Sequence, residues 1–80
     1  MAIWIGDAPA HCDNCHKEIT DSFYDAALPI FFGSWGNVCP KCFILAGGTL
    51  GIGRGQHYKK EGSKFVCVAG GREPRSRSGQ

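Results

Sequence analysis

Two Cys-x-x-Cys pairs, Cys12-Asp13-Asn14-Cys15 and Cys39-Pro40-Lys41-Cys42, stand with residues 16–38 between them in a chain of 80 residues. Two residues between cysteines let both sulfurs reach one ion at about 2.3 Å within a single turn, and two such pairs supply a full tetrahedral set of thiolates. A chain this short is one domain, and its hydrophobic core alone rarely supplies more than a few kcal/mol. Its 12 glycines raise the entropy cost of folding further. It needs a staple, and five cysteines fit four ligands plus one spare better than a disulfide framework. The spacing therefore predicts one structural zinc ion on Cys12, Cys15, Cys39 and Cys42. A closed set of four thiolates leaves no open position for water or substrate, which points away from catalysis at that ion.

The redox compartment supports metal over disulfides. Residues 1–10 have no basic start, and no apolar segment precedes the cleavage-like Ala8-Pro9-Ala10. No stretch approaches the ~20 apolar residues of a membrane span, because Gly47, Gly48 and Gly51 interrupt the richest run, Phe43 to Ile52. These features predict a soluble, intracellular chain, where spaced cysteine pairs bind metal more often than they oxidise.

The rest of the pattern predicts a small zinc-stabilised α+β fold with short β-hairpins and one short helix, spanning residues 1–70. Trp4 anchors a lead-in segment. Asp13 and Asn14 suit a tight turn at the first pair. Phe23 to Leu28 and Ile30 to Phe32 read as strands, and Trp35 to Val38 leads into the second pair. That pair opens a helix to Ala46, with Asn37 as cap, Pro40 in the first turn and Gly47-Gly48 at its end. Gln56–Lys60 and Lys64–Val68 read as a hairpin around Glu61-Gly62-Ser63. Turn, hairpin, then a helix carrying the last two ligands is the treble-clef order. A zinc ribbon would place both pairs on hairpin turns. Residues 71–80 are polar, basic and aperiodic, and read as a disordered tail.

Other uses of the cysteines fit the sequence less well. Cys12-Asp13-Asn14-Cys15-His16 matches a haem-attachment pattern, but the only methionine is Met1 and no export signal is evident. Cys39-Pro40-Lys41-Cys42 resembles a dithiol redox motif without the βαβ unit it needs. His11, His16 or His57 could replace one cysteine; His11 and His16 read instead as neighbours of the site, and His57 as exposed beside Tyr58. Cys67 alternates with valines and reads as a small buried apolar residue.

Charge is segregated. Asp7, Asp13, Glu18, Asp21 and Asp25 crowd the first third, while Arg54, Lys59, Lys60, Lys64 and the arginines of the tail make the rest basic. Net charge is +2, and a zinc tetrathiolate adds about −2, which brings the loaded protein near neutrality. That falls short of the basic footprint of a dedicated DNA binder. Gly51-Ile52-Gly53-Arg54-Gly55 suggests a phosphate loop, but no strand-loop-helix unit or G-K-[ST] surrounds it, so it reads as a connector. Arg54, Lys59, Lys60 and Lys64 are the candidate partner-binding residues. Most of the seven Phe and Trp residues must form the core, leaving one or two as anchors for a partner.

Trp4-x-Gly6-Asp7-Ala8-Pro9, the first cysteine pair, Phe23-Tyr24-Asp25, Trp35-x-Asn37-x-Cys39-x-x-Cys42-Phe43 and Gly51-x-Gly53-Arg54-Gly55-Gln56-x-Tyr58 occur in that order. The string resembles small treble-clef-like zinc-finger proteins encoded by tailed bacteriophages and prophages, over about residues 3–70. It departs from them in the first hairpin, where Ala26-Ala27-Leu28-Pro29-Ile30 replaces a glycine-lysine turn. The resemblance implies a viral accessory protein acting in the host cytoplasm or carried in the particle. A zinc-fixed platform with the Gly51–Lys64 segment and exposed aromatics predicts a non-catalytic module that binds a macromolecule, a host or phage protein before nucleic acid, with neither membrane nor small-molecule substrate. Nucleic-acid binding and a structural role in the virion are the alternatives. A nuclease of treble-clef type would need a second ligand cluster, which the sequence does not offer.

Overall fold

A computed structural model describes residues 3, 4 and 6–70; the predicted tail, residues 71–80, lies outside them. Four strands and one helix form a small α+β unit: β1 (Ser22–Ala27), β2 (Trp35–Val38), α1 (Pro40–Leu45), β3 (Gly55–Glu61) and β4 (Lys64–Ala69). The strands make one antiparallel sheet in the order β2-β1-β3-β4. Among the described residues no helix is long and apolar enough to cross a membrane.

Asp25 apart, the Phe23–Leu28 run carries apolar or aromatic side chains on both sides, because β1 is central and packed on both faces. Successive strand residues point to opposite faces. Phe23, fully buried, stacks on Tyr58 of β3 at 5.3 Å and meets the edges of Trp4 and Phe65 at 5.2 and 5.1 Å. Tyr24 faces the other way. Its ring stacks on Phe43 of α1 at 3.9 Å and on His57 of β3 at 4.1 Å. Each such pair contributes about 0.5–1.5 kcal/mol beyond the area it buries. On this second face Ala26, Leu28, Val38, Phe43 and Ala46 form one buried cluster with Cys12, Cys39 and Cys42. The cysteines are thus part of the core.

The lead-in is attached as its anchor predicts. Trp4 N–H donates to Phe65 O at 2.9 Å, and Ile3 bridges Val66, which covers part of the β4 edge. The β3–β4 hairpin follows the sequence pattern. Between His57 and Tyr58 the β4 partner steps from Ala69 to Cys67, so Val68 bulges out, half-exposed.

Two expectations are corrected. Ile30 to Phe32 is not a strand: Pro29–Phe31 forms a 3-10 turn, and Phe32 adopts a left-handed conformation at φ 55°. The partner of β1 is Trp35–Val38 instead, with Tyr24 opposite Val38 and Ala27 opposite Trp35. Only Phe31 of the apolar triplet packs inward, with its ring over Gly36, where any Cβ would collide with it. Asn37 does not cap the helix. It lies in β2, the N-cap is Cys39 with no side-chain capping bond, and Pro40 occupies the first turn. The helix ends as its glycines predict. Gly47 takes φ 74°, and the N–H groups of Gly47 and Gly48 return to Ile44 O and Phe43 O at 3.2 and 2.9 Å.

Candidate metal centre

The first cysteine pair sits at the tip of a miniature hairpin. Ile19 N–H donates to Ala10 O at 2.8 Å, Cys12 N–H to Lys17 O at 2.9 Å, and His16 N–H back to Cys12 O at 2.9 Å. His16 closes that turn at φ 66°. The second pair is placed by β2 and the start of α1, with Cys39 before the helix and Cys42 in its first turn.

A clasp between Asp13 and Asn37 joins the two. Asp13 N–H donates to Asn37 O at 2.8 Å, and Asn37 N–H donates to an Asp13 carboxylate oxygen at 2.7 Å. The clasp also occupies the outer edge of β2, which would otherwise offer bare backbone to another strand. Asp13→Ala should lower unfolding stability by about 1 kcal/mol while leaving metal stoichiometry unchanged. The urea midpoint, with the slope of the transition constant, measures this.

The four sulfurs of Cys12, Cys15, Cys39 and Cys42 all lie within 4.8 Å of one another. Cys12, Cys39 and Cys42 are buried and Cys15 is exposed. Asn14 N–H and Cys15 N–H each donate to Cys12 Sγ at 3.4 Å, and the Asn14 side-chain amide donates to Cys42 Sγ at 3.4 Å. Such donors stabilise thiolate charge, and the amide of Asn14 ties one pair to the other. All-sulfur donors at this spacing suit a soft or borderline ion such as zinc and disfavour calcium or magnesium. Sequence reasoning treated Asp13 and Asn14 only as turn formers. Their reach across to β2 and Cys42 depends on tertiary placement that spacing does not encode.

The protons on this cluster are unequally held. Burial pushes the Cys12 thiol up, but N–H donors from Cys15, Cys39 and Asn14 outweigh it and bring it down to about 6. The Asn14 amide pulls Cys42 down, yet burial and the neighbouring Cys39, Cys15 and Cys12 sulfurs push it up to about 12. A divalent ion must displace the Cys42 proton at neutral pH, whereas Cys12 is already ionised. Metal binding therefore strengthens as pH rises and weakens as it falls, most clearly once Cys12 is reprotonated below about pH 6. Zinc affinity measured by competition with a chelator should fall as pH is lowered from about 8, with a steeper slope below about pH 6.

The histidines stand apart from the cluster. His11 and His16 are exposed. His57 is a correction, being half-buried against Tyr24 with its Nε2 lacking a partner among the described residues. Burial, then the charge of Lys59, lowers its pKa. Cys67 is buried on the aromatic face, opposite Tyr58, as the valine alternation predicts.

The four basic candidates do not form one patch. Lys60 and Lys64 line a groove of about 540 Å³ with Trp4 and Phe65, and Lys59 adjoins them on β3. Arg54 lies at the other end of β3, roughly 20 Å away by strand rise, with its guanidinium folded over Gly51. No protein-family model, curated protein or solved structure matches the chain.

Proposed function

We propose that this chain is a non-catalytic, zinc-stabilised module of treble-clef type that binds another protein. The convergence of four cysteine sulfurs within 4.8 Å carries the reading. The order of knuckle, β1–β2 hairpin and ligand-bearing helix supports the treble-clef assignment. Zinc would be held by Cys12, Cys15, Cys39 and Cys42 and would supply rigidity, since four thiolates complete its coordination.

A protein partner is favoured by apolar side chains that the core does not use. Phe32 is 99% exposed, and Ile44, Leu45 and Ile52 also project into solvent. Residues of this type, on a rigid support, are the anchors of protein interfaces. With the sequence resemblance, this suggests a viral accessory protein that modulates or inhibits a host protein in the host cytoplasm, or is carried in the particle. Affinity capture from bacterial lysate, with and without nuclease, tests it. Capture should survive nuclease and weaken for a Phe32→Asp, Leu45→Asp double variant that remains folded. Loss of all capture after nuclease would refute the reading.

Nucleic acid is the second reading, favoured by Lys60 and Lys64 beside Trp4 in one groove. Its signature is affinity for oligonucleotides that falls with salt, by roughly 0.7–0.9 in logarithmic slope per phosphate contacted.

A further inference from the structure

One side of the metal centre is open. A groove of about 630 Å³ runs between the first knuckle and α1; Cys15, Cys39 and Cys42 line it, and Cys15 is the exposed residue of the three. Lys17 and Lys41 line the same groove together with Glu18 and Asp21, so its charges balance. By contrast Cys12 is 0% exposed and Cys42 5%. Hydrogen bonding divides the sulfurs the same way. Cys12 and Cys42 accept N–H donors, whereas among the described residues no N–H donor reaches Cys15 Sγ or Cys39 Sγ. Donors to sulfur draw off charge and reduce its nucleophilicity; a sulfur without them keeps it. Cys15 and Cys39 are also neighbours, with their sulfurs 3.9 Å apart.

We propose that Cys15 is a modification site, the sulfur at which a hydroperoxide enters the cluster, with Cys39 as the resolving thiol. The assignment rests on the metal-centre reading for its consequence, release of the ion, but not for the order of attack. The Cys15 thiolate attacks the distal peroxide oxygen. An S–O bond forms, the O–O bond breaks, and hydroxide (or alkoxide) leaves. The Cys39 thiolate then attacks the Cys15 sulfur. The S–S bond forms, the S–O bond breaks, and a second hydroxide leaves. Sulfur has lost two electrons and peroxide oxygen has gained them. Cys12 and Cys42 remain as two ligands, one from each pair, too few to retain a divalent ion against water or a chelator.

The test uses the full-length, zinc-loaded protein and limiting hydrogen peroxide. Zinc content is measured first by elemental analysis. Released zinc is then followed with a chromogenic chelator, and the products are mapped by mass spectrometry without reduction. The expected result is one zinc released per disulfide formed, a single Cys15–Cys39 linkage, and Cys67 still reduced. Brief iodoacetamide treatment of a separate zinc-loaded aliquot that has not met peroxide should label Cys15 on the order of tenfold faster than Cys12, Cys42 or Cys67. A dominant Cys12–Cys15 or Cys39–Cys42 disulfide, or first modification at Cys67, would overturn the proposal. Absence of zinc before peroxide refutes the metal reading instead, and the site assignment then stands or falls on the disulfide map. A Cys15→Ser variant is not required, so failure of that variant to fold cannot obscure the outcome.

Discussion

Replacing Cys39 with serine will cost the protein its metal and, with it, its fold. Cys39 is a core residue beside Cys12, Cys42 and Val38, so loss of the ion opens the centre of the second sheet face. Structural zinc contributes on the order of 10 kcal/mol or more in small tetrathiolate and related sites, more than a domain of this length holds in reserve. The same result is expected for Cys12, Cys15 and Cys42. Cys67→Ser is the control. Cys67 is equally buried, but on the opposite face, and its sulfur already points a weak donor at Ala69 O, 3.6 Å away. A serine hydroxyl can use that acceptor, so the cost should be about 1–2 kcal/mol, with one zinc still bound. Circular dichroism together with elemental analysis of the five variants separates these outcomes.

The two cysteine pairs were legible because their constraint is local. Two intervening residues fix the reach of the sulfurs whatever the rest of the chain does. The β3–β4 hairpin was legible for a similar reason, since Glu61-Gly62-Ser63 marks the reversal between two alternating runs. The helix was read from Pro40 and Gly47, whose backbone preferences do not depend on distant partners. The misreadings were of the other kind. Ile30-Phe31-Phe32 has strand composition, yet Pro29 and Gly33 bracket it too closely for a strand. Gly36 then offers Phe31 a surface that no local pattern reveals. Asn37 has capping chemistry, but Asp13 engages its backbone from 24 residues away. His57 beside Tyr58 reads as exposed from the sequence, yet Tyr24 covers it from the adjacent strand. In each case a long-range contact overrode a local preference.

Truncating Phe23 should destabilise the protein strongly and truncating Phe32 hardly at all, which is the second large effect. Phe23 is fully buried among Trp4, Tyr58 and Phe65 on the face remote from the metal. Phe23→Ala should cost about 3–5 kcal/mol through lost burial and the cavity left behind. For a domain of this size that is a fall in Tm of roughly 15–30 °C. Phe32 is 99% exposed, so Phe32→Ala should change stability by no more than about 0.5 kcal/mol while weakening partner capture. Scanning calorimetry of zinc-loaded samples checks both stabilities, and the lysate capture checks the partner effect. Equal, small losses would mean that the aromatic face contributes little and that the ion alone holds the sheet together.

The proposed zinc-stabilised module requires the two halves of the chain to meet at one ion. X-ray absorption at the zinc edge of the purified protein examines that directly. The expected spectrum fits one zinc per chain with four sulfur neighbours at about 2.3 Å. A first shell containing nitrogen or oxygen, or a protein that folds with no stoichiometric metal, would contradict it.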